Sequence, residues 1–223
     1  MSTIVSNPSG DEIVREPIPQ DLHHGICVWV YDTGTHWKEP PKGYSGTAKW
    51  TPQVLIVWEL PEIRIEFEDK ETGEQKNLPR VISQEFTASL HEKAKLRHWL
   101  QSWRNKEFSE VELEGFELGR LLGVNCTLQV IHKTVGDKVY ANIANVLPLM
   151  DKSKQKDPEN DLRHFTLDSE SWMIPDGTPD WIRDKIIASK EWQEQADPSL
   201  PQEPDPEYGS DEPPPVDDDD IPF

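Results

Sequence analysis

The sequence predicts a mainly β domain in which three strands are followed by a helix and then by two further strands. Short runs of β-branched and aromatic residues are bounded by turn residues, and one central segment changes to a helical period. Neither the strand period nor the helical period is present at the two ends of the chain. With 223 residues, the chain is long enough for one well-packed domain with extensions but short for two domains.

The first three predicted strands lie between residues 26 and 87. Residues 26–31 (ICVWVY) are β-branched and aromatic and precede the turn sequence DTG, which predicts the first strand. Residues 51–60 (TPQVLIVWEL) predict a second, largely buried strand, because Pro52 near its start is a tolerable position for a missing amide donor. An acidic turn region then leads to a third strand at residues 80–87 (RVISQEFT).

A helix and two more strands complete the predicted domain. The helical period predicts a helix from Ser89, whose capping box would include Glu92, to Arg104, with an apolar face made of Leu96, Trp99, Leu100 and Trp103. A second helical segment is predicted over residues 110–122. Strands follow at residues 124–132 and 138–146, joined by a short Gly136-Asp137 turn.

This order of elements predicts the OB-fold, a five-stranded Greek-key barrel whose helix lies between strands 3 and 4. A generic α+β sandwich is the alternative. We expect a flexible N-terminal arm, or one laid against the core, at residues 1–22 and the OB-fold domain at residues 23–150. Residues 151–196 form an extension and residues 197–223 a tail that is disordered until bound.

The extension is predicted to contain a helix from Pro179 to about Gln195, capped by Thr178. Its apolar side would include Trp181, Ile182, Ile186, Ala188 and Trp192. This side could cover the barrel or meet another subunit, and covering is the favoured interpretation.

The formal net charge of −19 is unevenly distributed. Residues 197–223 hold ten acids and no Lys or Arg, whereas residues 24–149 hold 17 acids and 15 bases. Because the middle of the chain is nearly neutral, its net charge does not exclude nucleic acid as a ligand.

The sequence favours a binding protein over an enzyme. It lacks the P-loop, GxSxG, HExxH and dinucleotide-binding motifs, so we predict no catalytic residue and no cofactor. His23, His24 and Cys27 have no partner cluster at metal-site spacing, so no metal site is predicted either. With two distant cysteines, Cys27 and Cys126, both expected to be buried, and no signal-like or long apolar segment, we expect a cytoplasmic protein without a membrane partner.

The loop between the first two strands carries the composition that single-stranded nucleic acid requires. Bases stack on aromatic rings while cations follow the phosphates. The loop (GTHWKEPPKGYSGTAKW) combines three aromatic and three basic candidates, and the turn between the last two strands adds two lysines. These candidates are Trp37, Lys38, Lys42, Tyr44, Lys49, Trp50, Lys133 and Lys138. The alternative is an ordinary loop whose tryptophans pack back onto the barrel.

Side-chain alternation along the first and third strands adds three candidates. If Val28 and Val30 point inward, Trp29 and Tyr31 point outward as stacking platforms. Arg80 on the third strand is a candidate phosphate contact. A one-residue shift in register would make these side chains core residues instead.

The last residues of the chain, GSDEPPPVDDDDIPF, resemble the acidic tail of bacterial single-stranded DNA-binding proteins. The resemblance implies docking onto helicases, primases, nucleases or polymerase subunits by Asp217, Asp218, Asp219, Asp220, Ile221, Pro222 and Phe223. In this interpretation the three last residues fill an apolar pocket while the acids pair with its basic rim. The alternative is a solvated, solubilising tail.

The segment PRVISQEFTASLHEKAKLRHWLQSWRNKEF, continued by ELEGFELGRLLG, resembles a family of phage-encoded proteins regarded as single-stranded DNA-binding proteins. This resemblance implies a bacteriophage protein that acts in DNA replication or recombination in the cytoplasm of the bacterial host cell. Because the body differs from the bacterial barrel, a homo-oligomer remains open. The alternative functions are a strand-annealing accessory protein and an adaptor that acts through its tail alone.

Overall fold

The computed structural model describes residues 16–40, 46–68, 73–167 and 172–196, and these form a mainly β molecule. The strands are β1 (Asp21–Lys38), β2 (Lys49–Glu68), β3 (Gln75–Thr87), β4 (Asn125–Val135), β5 (Lys138–Pro148) and β6 (Arg163–Phe165). The helices are α1 (Lys95–Arg104), α2 (Glu110–Glu114), α3 (Asp180–Ile187) and α4 (Lys190–Ala196). Two short 3-10 helices span Leu118–Leu121 and Lys152–Lys154.

The predicted order of three strands, a helix and two strands is confirmed. In the sheet the order is β3-β2-β1-β4-β5 with antiparallel neighbours, and β6, which was not predicted, lies parallel to β1. The strands are longer than predicted because pairing continues past the apolar runs, as far as Lys38 opposite Lys49 and Glu68 opposite Gln75. Helix α1 contacts β5 and β3, and these two strands at the ends of the order also contact each other, which is consistent with a barrel-like form.

Helix α1 buries the four apolar residues that its period predicted. It begins later than expected, however, with Ala94 rather than Ser89 as its N-cap, so the predicted capping box is wrong. A capping box is present instead at Ser109 and Glu112, where α2 begins. The predicted helix over residues 110–122 is broken after Glu114 into α2 and a 3-10 helix.

Both faces of the central strands β1 and β2 are buried. The inner cluster packs the sheet against α1 and includes Val30, Ile56, Trp58, Leu100 and Leu128. The outer cluster packs residues 28, 29 and 31 of β1, with Leu55 and Val57 of β2, against the C-terminal part of the chain. This double burial explains why both strands read as nearly continuous apolar runs.

A register shift between Cys27 and Trp29 makes the predicted inward direction of Val28 wrong. Val30 belongs to the inner cluster as expected, but Val28 belongs to the outer cluster with Trp29 and Tyr31. An irregularity of this kind places neighbouring residues on the same side of a strand. Simple alternation therefore fails at this position.

The outer cluster is closed by a C-terminal cover, which we define as residues 159–167 and 172–192. Ile182 and Ile186 of α3 are fully buried in this cluster, so the extension covers the sheet. The single predicted helix is two helices, α3 and α4, with Ala188 and Ser189 between them. Thr178 does not cap α3, because the N-cap residue is Pro179; the Thr178 hydroxyl donates a hydrogen bond to the Pro175 carbonyl instead.

The last part of the predicted N-terminal arm belongs to the folded body. Ile18 is buried in the inner cluster. The carbonyl of Glu16 accepts a hydrogen bond from Arg80 Nη1 (2.8 Å), and His132 Nε2 lies 2.8 Å from the Ile18 carbonyl. Residues 1–15 and the predicted tail at residues 197–223 lie outside the described residues.

Cys27 and Cys126 are both buried, as expected, and burial raises the pKa of each thiol well above its ordinary value. In the described parts of the chain, every helix is too short or too polar to span a lipid bilayer.

Candidate nucleic-acid interface

The end of the β1–β2 hairpin brings four predicted site residues together, and we call Trp37, Lys38, Lys49 and Trp50 the hairpin site. Trp37 lies directly opposite Trp50, and Lys38 lies opposite Lys49. The two indole rings meet edge to face, with centroids 5.4 Å apart and planes at 69°. Trp37 is 53% exposed, so the pair presents aromatic surface to solvent.

Alternation along the strands places the tryptophan pair and the lysine pair on opposite faces of the hairpin. On the lysine face, Lys38 Nζ lies 3.3 Å from Glu85 Oε2 and Lys185 Nζ lies 2.6 Å from Glu85 Oε1. Burial alone would raise the pKa of Glu85, but the two lysines outweigh it and the pKa is lowered. Glu85 is therefore ionised at neutral pH and neutralises part of the charge on this face.

The cation beside the tryptophan pair comes from α4. Lys190 Nζ lies 5.7 Å from the centroid of the Trp50 ring, within the range of a cation–π contact. Sequence reasoning missed Lys190 because it lies far from the loop in the chain. The only sequence signal was the prediction that a C-terminal helix covers the barrel.

Two other candidates of this loop, Lys42 and Tyr44, lie outside the described residues.

Trp29 and Tyr31 face outward, as predicted, but they are not accessible. Their exposed fractions are 8% and 0% because the C-terminal cover lies over them. Trp29 Nε1 donates to the Asp161 carbonyl (3.0 Å), and the Arg163 guanidinium lies 5.1 Å from its ring centroid. The Tyr31 hydroxyl lies 3.1 Å from Thr178 Oγ1. These contacts occupy the ring surfaces on which a base would stack, so Trp29 and Tyr31 are not part of the candidate interface in this structure.

Arg80 also lies away from the hairpin site. It lies two residues before the buried Ile82 on β3 and therefore on the same, inner side of the sheet. Its Nη1 donates to the Glu16 carbonyl, so the side chain holds the N-terminal segment. This contact gives Arg80 a structural role in the described conformation.

The β4–β5 turn forms a separate basic patch. Asp21, at the end of β1 that is far from the hairpin site, pairs with Val130. Since β4 continues past Val130 to Val135, the β4–β5 turn lies beyond that end of β1. Lys133 lies opposite Tyr140, which is 48% exposed and was not predicted as a site residue. Lys138 is also exposed. The two groups of candidates thus do not form one continuous cluster.

The described residues contain no cluster of three or more His, Cys, Asp or Glu side chains that could hold a metal ion.

Comparison with known proteins does not assign the chain to a family. No protein-family model matches the chain, and no curated protein sequence matches it significantly.

Proposed function

We propose that the protein binds single-stranded DNA through an OB-fold and that its function is binding rather than catalysis. Support for the fold comes from the strand order β3-β2-β1-β4-β5 and from the position of α1 between β3 and β4. In an OB-fold the strands have this order and the helix occupies this place. The cover over β1 and β2 is an addition to that architecture.

The observation that carries the proposal is the hairpin site. A tryptophan pair whose Trp37 is exposed lies next to Lys190, and a lysine pair lies on the opposite face of the same hairpin. Stacked bases and neutralised phosphates need these two kinds of side chain. Because stacking tolerates every base, the site suits a strand of any sequence.

The decisive experiment compares Trp37→Ala with Trp181→Ala in a fluorescence anisotropy titration of labelled oligo(dT). Trp181 is the matched control, because it is 49% exposed and Trp37 is 53% exposed, while only Trp37 belongs to the hairpin site. Loss of one stacked base should weaken binding by Trp37→Ala roughly 5- to 150-fold. Trp181→Ala should bind like the unmodified chain, and thermal melts should show that both variants are folded.

Absence of oligo(dT) binding by the unmodified chain at low salt would remove the proposal. Equal affinities of the two variants would remove the hairpin site as its location. An annealing assay with complementary oligonucleotides distinguishes the protecting function from the annealing one, because a protector slows pairing and an annealer accelerates it.

We further propose that residues 217–223 dock onto replication or recombination proteins in the cytoplasm of a bacterial host. The support is the resemblance of the sequence, since these residues lie outside the described structure. Deleting residues 210–223 should abolish binding to a purified bacterial helicase, primase, nuclease or polymerase subunit that the full chain binds. If this polyanionic segment also competes with DNA, the deletion should tighten oligo(dT) binding.

A further inference from the structure

The first turn of α4 is joined to β1 immediately before the hairpin site. The Glu191 carboxylate accepts two hydrogen bonds from Thr35, from the backbone amide at 2.8 Å and from the hydroxyl at 2.5 Å. Thr35 lies two residues before Trp37 on the same strand. Glu191 therefore binds the outer edge of the hairpin at the base of the candidate site.

A second close contact lies beside the first. Gly34 has a φ of +78°, and a Cβ at this position would collide with the Ser189 side chain. The segment between α3 and α4 thus packs tightly against β1 at Ser189. Together, residues 189 and 191 bracket Lys190 with contacts to neighbouring residues of β1.

The position of Lys190 follows from these contacts. Its Nζ lies 5.7 Å from the Trp50 ring centroid and 3.8 Å from Glu194 Oε1. Glu191 and Glu194 are thus two acids on the same short helix with different roles. Glu191 binds the hairpin, whereas Glu194 pairs with the lysine.

We propose that Glu191 is a positioning residue of the hairpin site: it holds α4 against Thr35 and thereby places Lys190 beside the tryptophan pair. This inference rests on the proposed function of the site in binding single-stranded nucleic acid. In this role Glu191 contacts Thr35 of β1 and not the nucleic acid. Its role is to fix the distance between a cation of α4 and the rings of the hairpin.

This role makes an unusual prediction about charge. Removing an acid near a polyanion normally strengthens binding, because the repulsion is reduced. Removing Glu191 should instead weaken binding, since the released α4 no longer keeps Lys190 in place. Removing Glu194 follows the normal rule, because it frees Lys190 from a competing carboxylate.

The test compares Glu191→Ala with Glu194→Ala in oligo(dT) titrations at several salt concentrations. Both changes remove one negative charge from α4 and introduce the residue with the best helix propensity. Loss of the two Thr35 hydrogen bonds should make Glu191→Ala bind roughly 3- to 10-fold more weakly. The slope of its log binding constant against log salt concentration should also become shallower by about 0.7, the value expected for one lost cation on single-stranded DNA. Glu194→Ala should bind as tightly as the unmodified chain or more tightly.

Two further variants separate positioning from a general loss of structure. Thr35→Val removes the hydroxyl from the other side of the contact without changing any charge, and it should weaken binding in the same direction. In a chain that already carries Lys190→Met, Glu191→Ala should have little additional effect, because the cation that it positions is absent.

Equal or stronger binding by Glu191→Ala, or full additivity with Lys190→Met, would overturn the inference and leave the proposed function intact. If the unmodified chain does not bind oligo(dT), the proposed function itself fails.

Discussion

The middle and the end of β1 carry the same kinds of side chain but have opposite surroundings. Trp29 and Tyr31, in the middle, are buried beneath the C-terminal cover, while Trp37, at the end, remains half exposed. The sequence made all three candidates for base stacking, Trp37 from the composition of its loop and Trp29 and Tyr31 on condition of the strand register. The comparison shows that a segment more than a hundred residues away decides which aromatic residues of a strand a ligand can reach.

The covered half is held by apolar burial and by specific polar contacts. Ile182 and Ile186 are fully buried, and each contributes about 1.5–3 kcal/mol by leaving water. Glu59, also fully buried, accepts hydrogen bonds from the backbone amides of residues 159 and 160 (3.0 and 2.9 Å) and from Asn160 Nδ2 (2.8 Å). Because the cover supplies these hydrogen bonds to a buried carboxylate, the cover is an integral part of the folded domain.

The largest expected effect tests whether the cover is integral. Ile186→Ala should lower the free energy of unfolding by about 2–5 kcal/mol, because it leaves a cavity in the outer cluster. Ile187→Ala, next to it on α3, removes a partly exposed side chain and should cost less than about 1 kcal/mol. Urea denaturation measures both values. Equal, small losses would show that α3 does not stabilise the sheet.

An effect of comparable size is expected where the cover meets the exposed end of β1. Gly34→Ala combines about 1–2 kcal/mol for a positive φ with about 1–3 kcal/mol for the collision with Ser189. Gly73 has a similar φ of +71°, but an added Cβ there would meet open space, so Gly73→Ala should show only the first contribution. The difference between their melting temperatures therefore measures how tightly the cover packs. Equal melting temperatures would indicate that Ser189 moves aside without cost.

The smallest expected effect concerns Glu85, which joins the two halves by pairing with Lys185 of the cover and Lys38 of the hairpin site. Because its pKa is lowered in the folded state, its ion pairs stabilise the fold above its ordinary pKa of 4.5. That stability is lost as the pH falls through the lowered folded value. Glu85→Gln should cost about 1 kcal/mol or less at pH 7.

The measurement for Glu85 is a series of thermal melts between pH 7 and pH 3. The difference between Glu85→Gln and the unmodified chain should shrink as the pH falls below 4.5. A difference independent of pH would show that the carboxylate acts through packing rather than through charge.

Much of the candidate hairpin site was predictable because its residues are close in sequence. Trp37 and Trp50 flank one loop, and any hairpin joining two neighbouring strands brings them together. Lys190 was not predictable in the same way, because its place beside Trp50 depends on how α4 packs against Thr35. The bulge between Cys27 and Trp29 has no local sequence signal either, so the direction of Val28 was predicted wrongly.

The sequence by itself determined the order of the elements, the buried face of α1 and the concentration of aromatic and basic residues in the first loop. These features depend on the spacing of residues along a local segment, where the periods of helices and strands act directly. Only the tertiary structure decided that Trp29 and Tyr31 are covered, that Arg80 holds the N-terminal segment and that the β4–β5 lysines lie apart from the hairpin site. Those outcomes depend on contacts between distant segments, whose free energy comes from buried area and satisfied polar groups that no local pattern encodes.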